Sequence, residues 1–191
     1  MITIVSGLPR SGTSLMMQML AAGGMPILSD GERAADPDNP RGYFEWERIK
    51  QLPQDPACID EAEGRAVKVI SQLLFALPGR RSYQIVFMER PLSEIVVSQA
   101  EMIRRRGTSG AALSDAALIA GLQAHLNQVN AWLQHRPDIR LCRVQYHRVL
   151  RDPKGVSEIV QNFLQRSLDV TLMAQQIDLA LYRHRMESSA S

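Results

Sequence analysis

A chain of 191 residues is long enough for one well-buried domain and too short for two large ones. Its 22 Lys and Arg against 20 Asp and Glu leave a formal charge of +2, so nothing in the overall field demands nucleic acid or an anionic membrane as partner, and any basic site must be local. Cys58 and Cys142 have neither metal-ligand spacing nor the density of a disulfide framework, which fits a reducing, cytoplasmic setting; the apolar N-terminal run is too short for a signal peptide, and no other stretch approaches membrane-spanning length.

Ile2 to Val5 is a short β-rich run, and Ser14 to Ala22 is rich in helix formers. Between them stands Gly7-Leu8-Pro9-Arg10-Ser11-Gly12-Thr13-Ser14. A glycine-bearing loop between a strand and a helix aims backbone amides and the helix dipole at an anion. The common nucleotide-binding form is G-x-x-x-x-G-K-S/T, whose lysine reaches the β- and γ-phosphates. Here both glycines and Ser14 are in register, but Thr13 stands where the lysine belongs. Arg10 supplies a cation from within the loop, and its planar fork suits a tetrahedral oxyanion. The replacement argues against an ordinary ATP or GTP enzyme and toward a different phosphorylated donor.

Residues 23 to 44 are dense in Gly, Pro and Asp and predict a long irregular loop near the site, ending in the aromatic cluster Tyr43-Phe44-Glu45-Trp46. The wider stretch from 23 to 65 is expected to form the substrate side. Ala66 to Ile70 reads as a second strand, Gln84 to Met88 as a third and Arg140 to Tyr146 as a fourth. Arg90 leaves the end of the third strand, and Ser98 lies two turns along a helix expected to start at Pro91. Ser114 caps a helix running to about Gln134, with Leu118, Leu122, His125, Val129 and Trp132 near one face. Asp152-Pro153 opens another as cap and first position, and Leu168 to Arg185 reads as a last helix within the C-terminal stretch 166 to 191. The alternation predicts an α/β fold, a mostly parallel central sheet flanked by helices in three layers, within a single domain. In such sheets ligands bind beyond the carboxyl ends of the strands, where the loop lies.

Together these elements resemble the sulfotransferases that use 3′-phosphoadenosine 5′-phosphosulfate (PAPS). In that family a loop of the form P-K/R-S-G-T-S/T holds the 5′-phosphosulfate, matched here by Pro9, Arg10, Ser11, Gly12, Thr13 and Ser14. An Arg and a Ser eight positions apart hold the 3′-phosphate, matched by Arg90 and Ser98. Asn39 to Glu45 resembles the N-P-K/R-G-aromatic-aromatic-E segment of bacterial members, and Val144 to Pro153 resembles their V-x-Y-E-x-L-x-x-D-P element, with His147 where the pattern has Glu. Tyr146 matches a tyrosine that approaches the donor, although an aromatic at a strand end is as readily a core residue.

The resemblance implies the P-loop type of α/β fold and transfer of a sulfuryl group to a hydroxyl or amine on a small-molecule or biopolymer acceptor, with no metal. Many members carry a catalytic histidine in a K-T-H segment after the second strand; here Lys68-Val69-Ile70 has none. His125, His135, His147 and His184 are expected on helix faces or at the surface; Lys68 could help stabilise the transferring group, but a strand-end lysine pointing to solvent is the simpler reading. Other branches use a carboxylate, which makes Glu45 the first choice of base and Glu32 the second. The late R-K-G segment that closes over the nucleotide is also missing, leaving Arg104-Arg105-Arg106-Gly107 as a substitute. Two rivals stand beside this reading: a P-loop small-molecule kinase, and a catalytically silent nucleotide-binding protein of the same fold.

Overall fold

The computed structural model describes residues 1–32, 36, 39, 42–105, 107 and 113–178. Five parallel strands form one sheet: β1 (Ile2–Gly7), β2 (Ile27–Leu28), β3 (Ala66–Lys68), β4 (Tyr83–Glu89) and β5 (Ile139–Gln145). Their spatial order is β2-β3-β1-β4-β5. β1 is buried along its whole length, as expected of a central parallel strand with both faces covered. The chain leaves β1 toward β3 on one side and β4 on the other, so the loop after Gly7 sits at the point where strand order reverses.

Helices α1 (Thr13–Ala22), α2 (Leu92–Arg105), α3 (Asp115–Gln134), α4 (Tyr146–Arg151), α5 (Pro153–Leu164) and α6 (Val170–Ala174) complete the architecture. On one face of the sheet Met16, Met17, Leu20, Val156, Val160 and Met173 pack against Val5, Val86 and Val144. On the other, Val129 of α3 joins Ile49, Leu52, Ile59 and Leu74 against Ile4, Ile85 and Phe87. This is the expected three-layer α/β fold with an all-parallel sheet flanked by helices.

Two caps form as their sequences dictate. Ser114 Oγ accepts from the amide of Ala117 at 3.3 Å, and Asp152 Oδ1 accepts from that of Gly155 at 2.9 Å with Pro153 in the first turn. Elsewhere the structure departs from expectation. The stretch from 23 to 65 is not uniformly irregular: it contains β2 and 3-10 turns over Glu47–Gln51 and Pro56–Ala62. Tyr146 does not end a strand but opens α4. The last helix begins at Val170 rather than 168 and ends at Ala174. The Leu168 amide is held by Gln161 Oε1, the Asp169 amide by Gly23 O, and the Asp169 carboxylate caps Leu172. Residues 179 to 185 of that expectation, His184 among them, lie outside the described residues.

α3 turns His125 inward, with Nε2 2.9 Å from the buried hydroxyl of Ser71 and the ring edge-on to Phe75. Burial holds His125 below the ordinary histidine value of 6.5. The unfolded chain therefore takes up the proton first. The neutral ring's contribution is whole above the ordinary value and is lost as pH falls through the lowered folded value. Lowering the pH from about 7.5 to about 5 should depress the thermal midpoint of the wild type more than that of His125→Gln, as read by circular-dichroism melts.

Candidate active site

The loop between β1 and α1 is shaped by two close approaches. A Cβ on Gly7 would stand 2.6 Å from the carbonyl oxygen of Met88, and one on Gly12 would stand 2.5 Å from the ring of Tyr146. Gly12 also has φ of 100° and is the N-cap of α1, which has no side-chain cap and no acidic residue in its first turn. Arg10 has φ of 70°, a left-handed conformation uncommon outside glycine. The Ser11 hydroxyl is buried without a hydrogen-bond partner. Open helix amides, an unpartnered buried hydroxyl and backbone strain together describe a cradle for an anion.

Three residues far apart in sequence meet beside this loop. Arg10 Nε donates to Ser98 Oγ at 3.0 Å, and Arg90 Nη1 donates to the backbone oxygen of Arg10 at 3.1 Å. Ser98 is buried on α2, where it faces the loop. Arg90 is held by Glu94, whose Oε2 accepts from Nε at 2.8 Å, and by the ring of Tyr146, 4.6 Å from the guanidinium. Both members of the Arg90–Glu94 pair are less than a tenth exposed, so removing either partner alone would strand a buried charge at a cost of about 3–5 kcal/mol. Arg10, by contrast, has no carboxylate partner among the described residues; its guanidinium bonds Ser98 alone. Tyr146 packs between Gly12 and Arg90, which joins its two sequence readings: half-buried, and at the loop.

On the β3 side, Lys68 corrects the sequence reading. It does not point to solvent. Its side chain is 7% exposed, and Nζ donates to the backbone oxygen of Tyr43 at 2.5 Å and lies 3.4 Å from Ser14 Oγ and 3.3 Å from Glu45 Oε1. A cation from the neighbouring strand thus reaches the loop residue that follows the place of the missing lysine. Backbone bonds to the Glu45 carbonyl from Asp30 N at 3.2 Å and Ser29 Oγ at 3.0 Å fix this segment, and the Asp30 carboxylate caps the Glu47 amide, which lowers the Asp30 pKa. Glu32 is exposed, its amide bonded to Asp30 Oδ1, and among the described residues its side chain makes no hydrogen bond or ion pair with Lys68 or the loop. Pro9 stands exposed at the loop tip, and Thr13 and Ser14 open α1 half-buried. Beside the loop on the β4–β5 side lies a cleft of about 370 Å³ bounded by Leu8, Ser11, Phe87, Arg90, Ile95 and Arg143.

Sequence reasoning ranked a site role for Lys68 below a solvent-pointing one, although a lysine inside the apolar run Ala66-Val67-Lys68-Val69 was a signal in itself, because a strand covered on both faces has no solvent side. It missed Glu94 and the second partner of that carboxylate, His147, whose Nε2 lies 2.9 Å from Oε1. Of the proposed substitute for nucleotide closure, Arg104 and Arg105 pair with Glu101, and Arg106 lies outside the described residues, as do Pro40 and Arg41 of the bacterial-type segment. Among the described residues no group of three His, Cys, Asp or Glu side chains could hold a metal ion, and no helix is long and apolar enough to cross a membrane.

No family model matches the sequence, and a search of characterised proteins finds no match either. Solved structures do match. A sulfotransferase from Mycobacterium tuberculosis superposes with a TM-score of 0.60 at 18% identity, covering 96% of this chain and 73% of that one. The sulfotransferase domain from the curacin biosynthetic pathway gives 0.54 at 16% identity, covering 93% and 77%. A retinol dehydratase in complex with androsterone and inactive cofactor PAP gives 0.53 at 16% identity, covering 91% and 62%. The chain folds as sulfotransferases do. At these identities the likeness extends to the fold, and the chemistry has to be argued from the site.

The contact between Gly12 and Tyr146 is directly testable. Gly12→Ala should lower stability by about 1–3 kcal/mol, from positive φ and steric overlap combined. Adding Tyr146→Ala should recover the steric part alone. Urea denaturation of the four proteins in a double-mutant cycle would give a coupling of about 0.5 kcal/mol or more.

Proposed function

We propose that this protein is a sulfotransferase that moves a sulfuryl group from PAPS to a hydroxyl or amine acceptor, releasing 3′,5′-diphosphoadenosine. The observation that carries the reading is Arg10: a cation without a carboxylate partner among the described residues, set between open helix amides, the Ser11 hydroxyl and Ser98. The glycine cradle leaves no space for a side chain at Gly7 or Gly12, which suits close approach of a phosphate group, so the residues present fit this donor. Arg90 and Ser98, next to the loop rather than on it, suit a second phosphate on the same ligand. A neighbour of the same fold described with the inactive cofactor PAP agrees with that pairing.

In the proposed reaction the acceptor oxygen or nitrogen attacks sulfur as the bond from sulfur to the 5′-phosphate oxygen breaks, and the electron pair stays on the phosphate. Charge accumulates on that leaving group and on the equatorial oxygens, where fixed dipoles and cations act most strongly. Arg10 and the amides of Ser11 to Ser14 serve the leaving phosphate, and Lys68, buried at the adjoining strand end, serves the transferring group. Glu45, paired with Lys68, takes the acceptor's proton. Its position fits the role better than that of Glu32, which is exposed and makes no ion pair with Lys68 among the described residues.

Titration calorimetry separates the readings. Binding of 3′,5′-diphosphoadenosine that weakens about tenfold or more in Arg90→Ala is the expected result; binding of ATP with magnesium alone would select a small-molecule kinase. Donor binding without sulfation of any alcohol, phenol, amine or sugar in a broad panel would select a silent binding protein. With an acceptor in hand, Lys68→Met and Glu45→Gln should each lower kcat by about a hundredfold or more. Glu32→Gln should stay within about twofold, within the spread of exposed substitutions.

A further inference from the structure

Arg90 is fixed on three sides. Its Nη1 meets the loop at Arg10 O, its face lies on Tyr146, and its Nε is held by Glu94. Glu94 is 3% exposed, and its other oxygen is 2.9 Å from His147 Nε2. The first two residues of α4 therefore grip the same guanidinium by different means, Tyr146 through its ring and His147 through the carboxylate. A carboxylate with both oxygens engaged has no rotational freedom left, and neither does the planar fork bonded to it. The V-x-Y-E element that this stretch resembles has an acid at the place of His147; an acid there would face Glu94 with like charge, whereas histidine offers a nitrogen to it.

We infer that Glu94, anchored by His147, is the positioning residue that aims Arg90 at the second phosphate of the donor, so that the preference for a 3′-phosphorylated nucleotide depends on two residues that contact no part of it. The inference rests on the proposed role of Arg90. Glu94 sets the direction of the fork, and His147 keeps Glu94 from rotating toward solvent or toward Arg10. Without the pair, Arg90 retains its charge and its place over Tyr146 but loses the orientation that a bidentate phosphate contact needs.

The test is a preference ratio, the affinity for 3′,5′-diphosphoadenosine divided by that for adenosine 5′-monophosphate, measured by calorimetry on the full chain. Arg90→Ala should reduce the wild-type ratio about tenfold or more, Glu94→Gln about tenfold and His147→Leu about threefold, with 5′-monophosphate binding within about twofold in the last two variants. A general structural defect would weaken both ligands alike and leave the ratio unchanged, which would overturn the inference. An unchanged ratio in Arg90→Ala would overturn the donor reading itself. A ratio lost in Arg90→Ala but kept in both other variants would overturn only the positioning role. If Glu94→Gln fails to fold, the half-exposed His147→Leu decides alone.

Discussion

Between Gly12, in the loop after β1, and the start of α4 there is room for a hydrogen atom and nothing larger. Gly12 meets the Tyr146 ring and Gly7 meets the Met88 carbonyl, so the ends of β1, β4 and β5 are locked to one another at the level of the loop. Everything else at the site inherits its position from this contact. Tyr146, fixed against Gly12, becomes the platform on which Arg90 lies; Arg90 in turn touches the Arg10 carbonyl, and Arg10 reaches Ser98. A side chain at Gly12 would disturb not one contact but the order in which three segments meet.

The distribution of charge around the loop follows a division of labour. Arg90 and Lys68 are buried and each has a carboxylate beside it, Glu94 and Glu45 respectively. Arg10, half-buried in the loop, has none among the described residues. Two cations are therefore held in geometry by internal acids, and a third is left to be satisfied from outside. Internal pairing restrains a long side chain before any ligand arrives, so less ordering remains to be done on binding. A loop arginine with no internal acid among the described residues would keep its electrostatic free energy for any anion that binds there. A lysine also reaches the loop from β3, one strand away, where Lys68 Nζ lies between Ser14 and the segment around Tyr43 and Glu45.

Much of this was legible in the sequence where the signal was local. The loop announced itself through glycine spacing between a β-rich run and helix formers, and the Ser114 and Asp152 caps formed as their residue types require. Arg90 and Ser98 stood out by their spacing, and the structure brings both to the loop. Local signals failed where tertiary contacts decided. β2 is a two-residue, half-buried edge strand with no period to detect. The expected helix at 168 lost its first amides to Gln161 and Gly23, partners more than one turn away. Lys68 was misread because charge in a strand defaults to solvent, an assumption that breaks where both sheet faces are covered. The Glu94–His147 contact joins residues 53 positions apart on two helices, and no spacing rule reaches that far.

The sheet order places β1 and β4, the strands that deliver the loop and Arg90, at the centre of the molecule rather than at an edge. Fraying of the β2 edge lies away from this contact, whereas an opening that separates β1 from β4, or that lifts β5 and with it Tyr146, takes the site apart. An anion bound at the loop would be linked to the opening of the central strands, and would slow amide exchange in β1 and β4 alike wherever exchange requires the two strands to part.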